Sequence, residues 1–160
     1  MNIEYFHASK YGNGAKVAEE FKNQMAAKGV IVNVHHVRDV KPEEMPAADL
    51  YLFSSPGRMG RPTWGMRRFL KKAKLPSGTK YAILTTEAAP QPDKKTGRIP
   101  TEEEQVRWHR IIPIMNEILQ KKGLVKVADG KILVTGLKGP LEENWQKKVE
   151  AFTSQIPIVP

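Results

Sequence analysis

The chain has 160 residues, of which 40% are hydrophobic and 27% are charged, proportions typical of one globular domain with a core of its own. It contains no cysteine, which excludes disulfide bonds, thiolate zinc sites, iron–sulfur ligation and cysteine nucleophiles. The formal net charge of +9 favours an acidic partner, such as a protein, a nucleic acid or an anionic membrane, although a merely solvated basic surface gives the same count.

The first half of the chain alternates between strand and helix patterns. The mostly apolar segment 3–9 predicts a buried strand, and a helical pattern follows from Gly14 and ends near Gly29. The alternating, valine-rich segment 30–37 predicts a second strand. The segment 49–55 predicts a third, which ends in small hydroxyl residues as the first one does.

The alternation continues after the third strand. Apolar residues at helical spacing over 66–73 predict a helix, the segment 80–87 a fourth strand, and the polar segment 88–100 a long loop. A capping box at Thr101 opens another helix, which Pro113 should kink or restart.

The last part of the chain predicts a strand and a helix. The fifth strand lies within 125–136, where Asp129–Gly130 suggests a small hairpin. Pro140 suits the first turn of a final helix, with Glu142 and Glu143 near the positive end of its dipole.

This alternation predicts an α/β fold: a doubly wound, five-stranded parallel sheet with helices on both faces, in a single domain over residues 1–160. In such folds ligands bind outside the carboxyl ends of the strands, at the point where the strand order reverses. The rule therefore predicts a ligand site at the loops after the first, third and fourth strands.

Membrane and targeting segments are not indicated. No stretch approaches the roughly 20 apolar residues that span a bilayer. The strand pattern begins almost at Met1, without a basic region or a cleavage site before it. We therefore expect a cytoplasmic protein without a membrane span.

The loop after the first strand has the composition of an anion site. Gly12 and Gly14 permit positive φ angles and let backbone N–H groups face inward, and the helix start adds about half a positive charge. Ser9 and Asn13 contribute a hydroxyl and an amide. These groups favour a phosphate, although an ordinary strand-to-helix turn looks similar and neither a G-x-G-x-x-G nor a Walker pattern is present.

The segment SKYGNGAKVAEEF resembles the phosphate loop of the flavodoxin family, whose pattern is Ser/Thr-x-x-Gly-Asn-Thr followed by a helix. Ser9, Gly12, Asn13 and Ala18 match the pattern, whereas Gly14 replaces the usual threonine and removes one hydroxyl donor. The segments SSPGRMGRPTWGMRRFL and KGPLEENW are also similar to the family's second loop and last helix. The resemblance covers nearly the whole chain.

The resemblance implies FMN as the cofactor. The strand order 2-1-3-4-5, with FMN between the first and third strands, is the known arrangement of flavodoxin itself and is taken from the resemblance. It implies that the phosphate lies on residues 9–14 and the flavin ring between the loops after strands three and four, where Gly57 or Gly60 could offer its peptide to the reduced ring. The cofactor-binding residues expected on this basis are Ser9, Lys10, Tyr11, Gly12, Asn13, Gly14, Ser55, Pro56, Gly57, Arg58, Met59, Gly60, Thr86, Glu87 and Ala88.

The aromatic residues depart from the family pattern. Many flavodoxins stack an aromatic residue on each face of the ring, but the loop 88–100 has none. Met59 can replace one of them through its polarizable sulfur. Trp64 is assigned either to the ring or to the core at a helix start. For Trp108 and His109 we expect core packing.

The histidines do not suggest a metal site. His35 and His36 are adjacent in a strand pattern and therefore point to opposite faces. His7 lies at the end of the first strand, and we expect it to be a buried, hydrogen-bonded side chain rather than a flavin contact.

The basic charge also departs from the acidic surface of familiar flavodoxins. The residues Arg58, Arg61, Lys94, Lys95 and Arg98 lie on the loops expected to border the ring, unless they are simply solvated. Positive charges stabilise a negatively charged reduced cofactor, which predicts a less negative potential than that of an acidic flavodoxin. They would also steer an acidic redox partner, for example a ferredoxin-like donor or acceptor.

Three functions fit these observations. The first is an FMN-binding electron carrier, which requires no general acid, base or nucleophile because the cofactor carries the chemistry. The second is an FMN-dependent NAD(P)H:quinone reductase, since RMGRPT is similar to the Arg-aromatic-Gly loop of such enzymes. The third is a binding module without FMN that uses a basic face, although the absence of a nucleic-acid motif argues against nucleic acid as its partner.

Overall fold

The computed structural model describes residues 1–136 and 138–159, and its centre is a five-stranded sheet. All neighbouring strands are parallel, in the order β2-β1-β3-β4-β5. The predicted doubly wound sheet with order 2-1-3-4-5 is therefore confirmed. The strands are β1 (Asn2–His7), β2 (Ile31–His36), β3 (Leu50–Ser54), β4 (Lys80–Ala88) and β5 (Val125–Val134).

Helices connect the strands and cover the two faces of the sheet. They are α1 (Asn13–Ala26), α2 (Trp64–Lys72), α3 (Glu102–Trp108), α4 (Ile111–Lys121) and α5 (Trp145–Thr153). A short 3-10 helix, Val37–Asp39, follows β2. Gly57–Arg58 pairs with Arg61–Pro62 in a small antiparallel ribbon between β3 and α2. None of the helices in the described part of the chain is long and apolar enough to cross a membrane.

Alternate strand residues fill two separate cores. On the face covered by α1 and α5, the ring of Tyr5 packs edge-on against Phe21 at 5.4 Å between centroids. On the face covered by α2 and α4, Phe6 lies between Phe53 at 5.9 Å and Phe69 at 5.4 Å. Burial of a phenylalanine side chain in these cores stabilises the fold by about 1.5–3 kcal/mol relative to its exposed state.

Local sequence explains where several helices begin and end. The hydroxyl of Thr63 accepts a hydrogen bond from Met66 N at 3.2 Å and caps α2. Thr101 and Glu104 form the predicted capping box at the start of α3. After α1, the chain turns at Gly29, where φ is +76°. This conformation is accessible to glycine at little cost.

The interruption of the predicted 101–123 helix lies at His109–Arg110, before the proline to which we assigned it. Pro113 is the third residue of α4, in the first turn. A proline is tolerated there because the N–H that it lacks has no intrahelical acceptor. The restart is therefore confirmed, but at Ile111.

The hairpin predicted at Asp129–Gly130 is wrong, because β5 runs through both residues in parallel with β4. Gly130 is required for packing and does not form a turn. A β-carbon there would lie 3.2 Å from Phe152 Cδ2 on α5 and 3.5 Å from Leu84 Cδ1 on β4. The glycine lets α5 approach the sheet closely.

The final helix begins at Trp145, so the start predicted at Pro140 is also wrong. The carbonyl of Pro140 accepts a hydrogen bond from Thr135 N at 2.9 Å, Leu141 bridges Val134 in antiparallel orientation, and Glu142 N donates to Leu133 O at 2.8 Å. The segment thus returns along the end of β5 before α5 starts, and Glu142 and Glu143 lie outside the first turn. The preference for pairing with a strand end outweighs the helix-start preference of one proline.

Candidate functional site

A cleft of about 340 Å³ opens at the carboxyl ends of the strands, within the usual size of small-molecule sites. The loops after β1 and β3 border it, as the switch-point rule predicts. The loop after β4 does not line it; the end of β4 itself does, and the end of β5 contributes as well. The lining residues are Ser9, Lys10, Tyr11, Asn13, Gly14, Pro56, Gly57, Arg58, Thr63, Thr86, Ala88, Val134 and Gly136.

The loop after β1 is a preformed turn around Ser9. Its hydroxyl oxygen accepts a hydrogen bond from Gly12 N at 3.1 Å, and its own N–H donates to His7 Nδ1 at 3.2 Å. Gly12 has φ +94°, and a β-carbon at Gly14 would lie 3.2 Å from Ser9 Cβ. The two glycines therefore allow the turn to fold tightly back on Ser9 before α1 starts.

The N-terminus of α1 has donors available at the cleft. No side chain in the described part of the chain caps this helix, and its first internal hydrogen bond runs from Lys16 N to Gly12 O. The N–H groups of Asn13, Gly14 and Ala15 precede that bond and so have no intrahelical acceptor. The N–H groups of Asn13 and Gly14, which line the cleft, the helix dipole and the Ser9 hydroxyl form a donor set of the kind that an anion such as a phosphate requires.

His7, the last residue of β1, is joined to this loop by the hydrogen bond from Ser9 N. It is buried at 8% exposure. Burial, and secondarily the proximity of His36 and Arg38, lowers the pKa of His7 to about 4. The ring is therefore neutral near pH 7, and Nδ1 keeps the lone pair that accepts from Ser9 N. As expected, His7 is a hydrogen-bonded buried side chain, and it is not among the residues that line the cleft.

The loop after β3 forms the opposite wall. Pro56 bridges Thr86, and Ser55 O accepts a hydrogen bond from Thr86 N at 3.2 Å, which joins this loop to the end of β4. The Ser55 hydroxyl accepts from Thr63 N at 3.1 Å. These bonds fix both ends of the loop and place its tip beside the cleft.

The tip of this loop packs against the junction of α3 and α4. Arg110 N donates to Gly60 O at 2.7 Å, and the Arg61 guanidinium donates to Trp108 O at 3.3 Å. A β-carbon at Gly60, where φ is +73°, would overlap the carbonyl oxygen of Trp108. The α3–α4 junction therefore sets the conformation of the loop, which the sequence did not suggest.

Successive residues at the end of β4 face opposite sides of the sheet. Thr86 and Ala88 line the cleft, whereas Glu87 points to the opposite face of the sheet. There its carboxylate accepts from Thr85 Oγ1 at 2.6 Å and lies 3.5 Å from His109 Nδ1. His109 is thus half-buried against a carboxylate rather than part of an apolar core.

The core position expected for Trp108, and offered as one of two alternatives for Trp64, is wrong. Trp64 is 72% exposed and Trp108 is 55% exposed, so neither is a core residue. Trp108 ends α3 beside Gly60, because the helix breaks at the next residue. Met59 is also exposed, in the left-handed region with φ +52°.

Of the predicted cofactor-binding residues, some lie beside the cleft without lining it. They are Gly12, Ser55, Met59, Gly60 and Glu87. Sequence analysis missed Thr63, Val134 and Gly136. Thr63 carried a signal, as a hydroxyl residue before a helical pattern, and the other two lie at the carboxyl end of a predicted strand.

The charge around the cleft is positive. Lys10 and Arg58 are the charged side chains among its described lining residues. The loop between β4 and α3 contributes less charge than predicted, because Arg98 forms a two-pronged ion pair with Glu104 at 2.7 and 3.0 Å. Lys94 and Lys95 are exposed and do not line the cleft.

Comparison with known proteins adds independent information. The family model described as flavodoxin matches residues 6–93. Among curated proteins, none matches the sequence significantly.

Solved structures share the fold at low sequence identity. Oxidised flavodoxin 2 from Bacillus cereus is 19% identical with a TM-score of 0.70, covering 97% of both chains. A flavodoxin from the domain Archaea is 17% identical with a TM-score of 0.68, covering 95% of this chain and 93% of that one. A Fusobacterium nucleatum flavodoxin bound to flavin mononucleotide is 11% identical with a TM-score of 0.62, covering 96% and 95%.

Proposed function

This chain belongs to the flavodoxin family, and on that premise we propose that its cleft binds FMN and that the protein carries electrons between redox partners. The phosphate would lie on residues 9–14. The flavin ring would lie between the loop tip at 56–60 and the end of β4. FMN, when bound, would supply the redox chemistry, while the protein supplies binding, orientation and charge.

The observation that carries this proposal is the geometry of the first loop. At one end of the cleft lie Ser9 with its hydroxyl and Asn13 and Gly14, whose N–H groups belong to the uncapped start of α1. Charge-assisted hydrogen bonds of this kind are worth about 1.5–3 kcal/mol each. The residues present therefore fit a phosphate, and the missing threonine hydroxyl at Gly14 removes one donor among several.

The other end of the cleft fits a flat ring. Its walls come from Pro56, Gly57, Thr86 and Ala88, which are small or apolar. A β-carbon at Gly57 would lie 3.9 Å from Thr86 O, so the loop after β3 and the end of β4 are in contact there and close this side of the cleft. Arg58 adds a positive charge at this end, where a reduced ring would carry negative charge.

The electron-carrier role is supported by the openness of this end of the cleft. Arg58 and Met59 are exposed beside it, so a partner protein could approach a bound ring closely. The positive charge favours acidic partners. A quinone reductase would use the same cleft, so the electron-carrier and reductase functions are distinguished by their kinetics.

The test compares FMN with riboflavin, which lacks the phosphate. Binding is followed by flavin fluorescence quenching in the wild type, in Ser9→Ala and in the control Ser77→Ala, which lies before the amino end of β4, away from the cleft. We expect FMN to bind at least about 100-fold more tightly than riboflavin. Ser9→Ala should weaken FMN about fivefold to tenfold and leave riboflavin unchanged.

Each failure has its own meaning. Equal affinities for the two flavins would remove the phosphate assignment. No binding of either flavin would favour the FMN-free module. With FMN bound, steady-state NAD(P)H oxidation by a quinone would favour the reductase, whereas rapid exchange of single electrons with a redox protein and no such turnover supports the carrier.

A further inference from the structure

The rim of the cleft carries exposed apolar side chains that the fold does not use. Tyr11, Met59, Trp64 and Trp108 are 44%, 79%, 72% and 55% exposed, and we call them the rim patch. Isolated exposed apolar residues need no explanation, but several large ones around one opening indicate an interaction surface.

The structure brings the rim patch together from three segments. Tyr11 lines the cleft on the first loop. Met59 is at the tip of the loop after β3, and Trp64 follows the lining residue Thr63 at the start of α2. Trp108 comes from α3 and reaches the same loop, since a β-carbon at Gly60 would lie 3.4 Å from its Cδ1.

Positive charge surrounds the rim patch. Lys10 and Lys138 place Nζ 5.4 and 5.5 Å from the Tyr11 ring centroid, within cation–π range. Arg107 and Arg110 flank Trp108, and both are exposed.

Acidic residues are few in the segments that form the rim: α3 begins with Glu102, Glu103 and Glu104, of which Glu104 is paired with Arg98. From Leu50 to Thr86 the sequence contains no Asp or Glu, and the same holds from Gln105 to Asn116. The surface is therefore an apolar centre rich in tryptophan, methionine and arginine with a positive border, the composition that distinguishes the cores of protein–protein interfaces.

We propose that the rim patch and its basic border form the docking surface for an acidic protein, which the patch anchors by burying Trp64 and Trp108. A second copy of this chain would place positive borders against each other, which costs binding free energy. This inference deepens the proposed function, because it gives the partner class for the mouth of the FMN cleft. The docking itself needs only the surface, with or without FMN.

The experiment measures binding before electron transfer. The probes are a plant-type [2Fe–2S] ferredoxin as an acidic redox protein and cytochrome c as a basic one, and binding to the chain without FMN is measured by calorimetry at 50 and 500 mM salt. We expect ferredoxin to bind at least about tenfold more tightly than cytochrome c at 50 mM salt, and to lose that advantage at 500 mM.

Two sets of variants separate the charge from the apolar centre. Arg107→Glu with Arg110→Glu leaves the cleft lining intact and should weaken ferredoxin binding about tenfold. The control Lys74→Glu with Lys80→Glu makes the same change in net charge near the amino end of β4, away from the cleft, and should change ferredoxin binding less than about twofold. Trp64→Ala and Trp108→Ala should each weaken binding about fivefold to tenfold without altering its salt dependence.

Several results would overturn the proposal: equal affinity for the two probes, equal losses in the two charge variants, or full affinity in both tryptophan variants. A dT20 oligonucleotide that binds more tightly than ferredoxin and depends on the same tryptophans would replace the protein partner with single-stranded nucleic acid. Folding of each variant is checked by its urea unfolding midpoint. Because this measurement uses the chain without FMN, a failure of FMN to bind would leave the docking result standing.

Discussion

Gly57 on the loop after β3 lies against Ile111 at the start of α4, so closely that a β-carbon at position 57 would be 2.7 Å from Ile111 Cδ1. The contact joins a wall of the cleft to a helix that begins more than fifty residues later. On the same loop, Gly60 packs against Trp108 at the end of α3. The shape of the candidate flavin site therefore depends on the α3–α4 junction.

Gly57→Ala should destabilise the protein by about 1 kcal/mol, because the added methyl overlaps Ile111 Cδ1 and that side chain must move. Ile111→Val removes this carbon and by itself should cost about 0.5–1.5 kcal/mol. In the Ile111→Val background, Gly57→Ala should cost less than in the wild type. Urea unfolding of the four proteins gives the coupling energy, and strict additivity would show that the two residues do not interact.

Gly60→Ala should be more damaging than Gly57→Ala, because the new β-carbon meets a backbone oxygen that cannot rotate away. Gly78→Ala is the matched control, with φ +87° against +73° and nothing within 4 Å of its β-carbon. The control should cost about 1–2 kcal/mol for the left-handed conformation alone, and Gly60→Ala about 1–3 kcal/mol more. Similar unfolding free energies in both variants would argue against the Trp108 contact.

The stability of the fold should depend on the protonation of His7. The unfolded chain binds this proton below about pH 6.5, whereas the pKa of His7 in the folded chain is lowered to about 4, chiefly by burial. Between these values the unfolded chain holds more protons, so the free energy of unfolding falls as the pH falls from about 6.5 to about 4.

The variant His7→Asn tests this dependence. It keeps an acceptor for Ser9 N but cannot titrate in this range. Urea unfolding at four pH values between 4.5 and 7.5 should show a shallower pH dependence in the variant than in the wild type. Parallel pH profiles would exclude His7 as the cause.

The potential of bound FMN should respond most to Arg58, the arginine that lines the cleft. Arg58→Gln removes a charge whose interaction with a reduced ring near the surface is worth about 0.5–1 kcal/mol. For one electron this makes the potential about 20–40 mV more negative. Lys94→Gln with Lys95→Gln should have a smaller effect, since neither residue lines the cleft. A potentiometric titration in which the lysine variant shifts more would contradict this.

The structure reduces the number of basic residues that can act on a bound ring. Five basic residues were expected to border the ring, but the charge of Arg98 is paired with Glu104, and Arg61, whose guanidinium donates to Trp108 O, does not line the cleft. A less negative potential than that of acidic flavodoxins remains a prediction, and it now depends mainly on Arg58.

The sequence by itself determined the alternation of strands and helices, the sheet order through the family resemblance, and the composition of the first loop. These features are local. Alternating or helical apolar spacing sets which element forms, and Gly12 and Gly14 set the turn around Ser9, all within a few residues of chain.

Only the tertiary structure decided which residues face the cleft. Thr86 and Ala88 line it while Glu87 turns to His109, because the sides of a strand are distinguished by packing on both faces of the sheet. The junction at Trp108, the return of residues 140–142 along β5 and the packing of Gly130 also depend on partners distant in sequence. A local sequence pattern favours a particular secondary structure, and long-range contacts determine whether the folded chain adopts it.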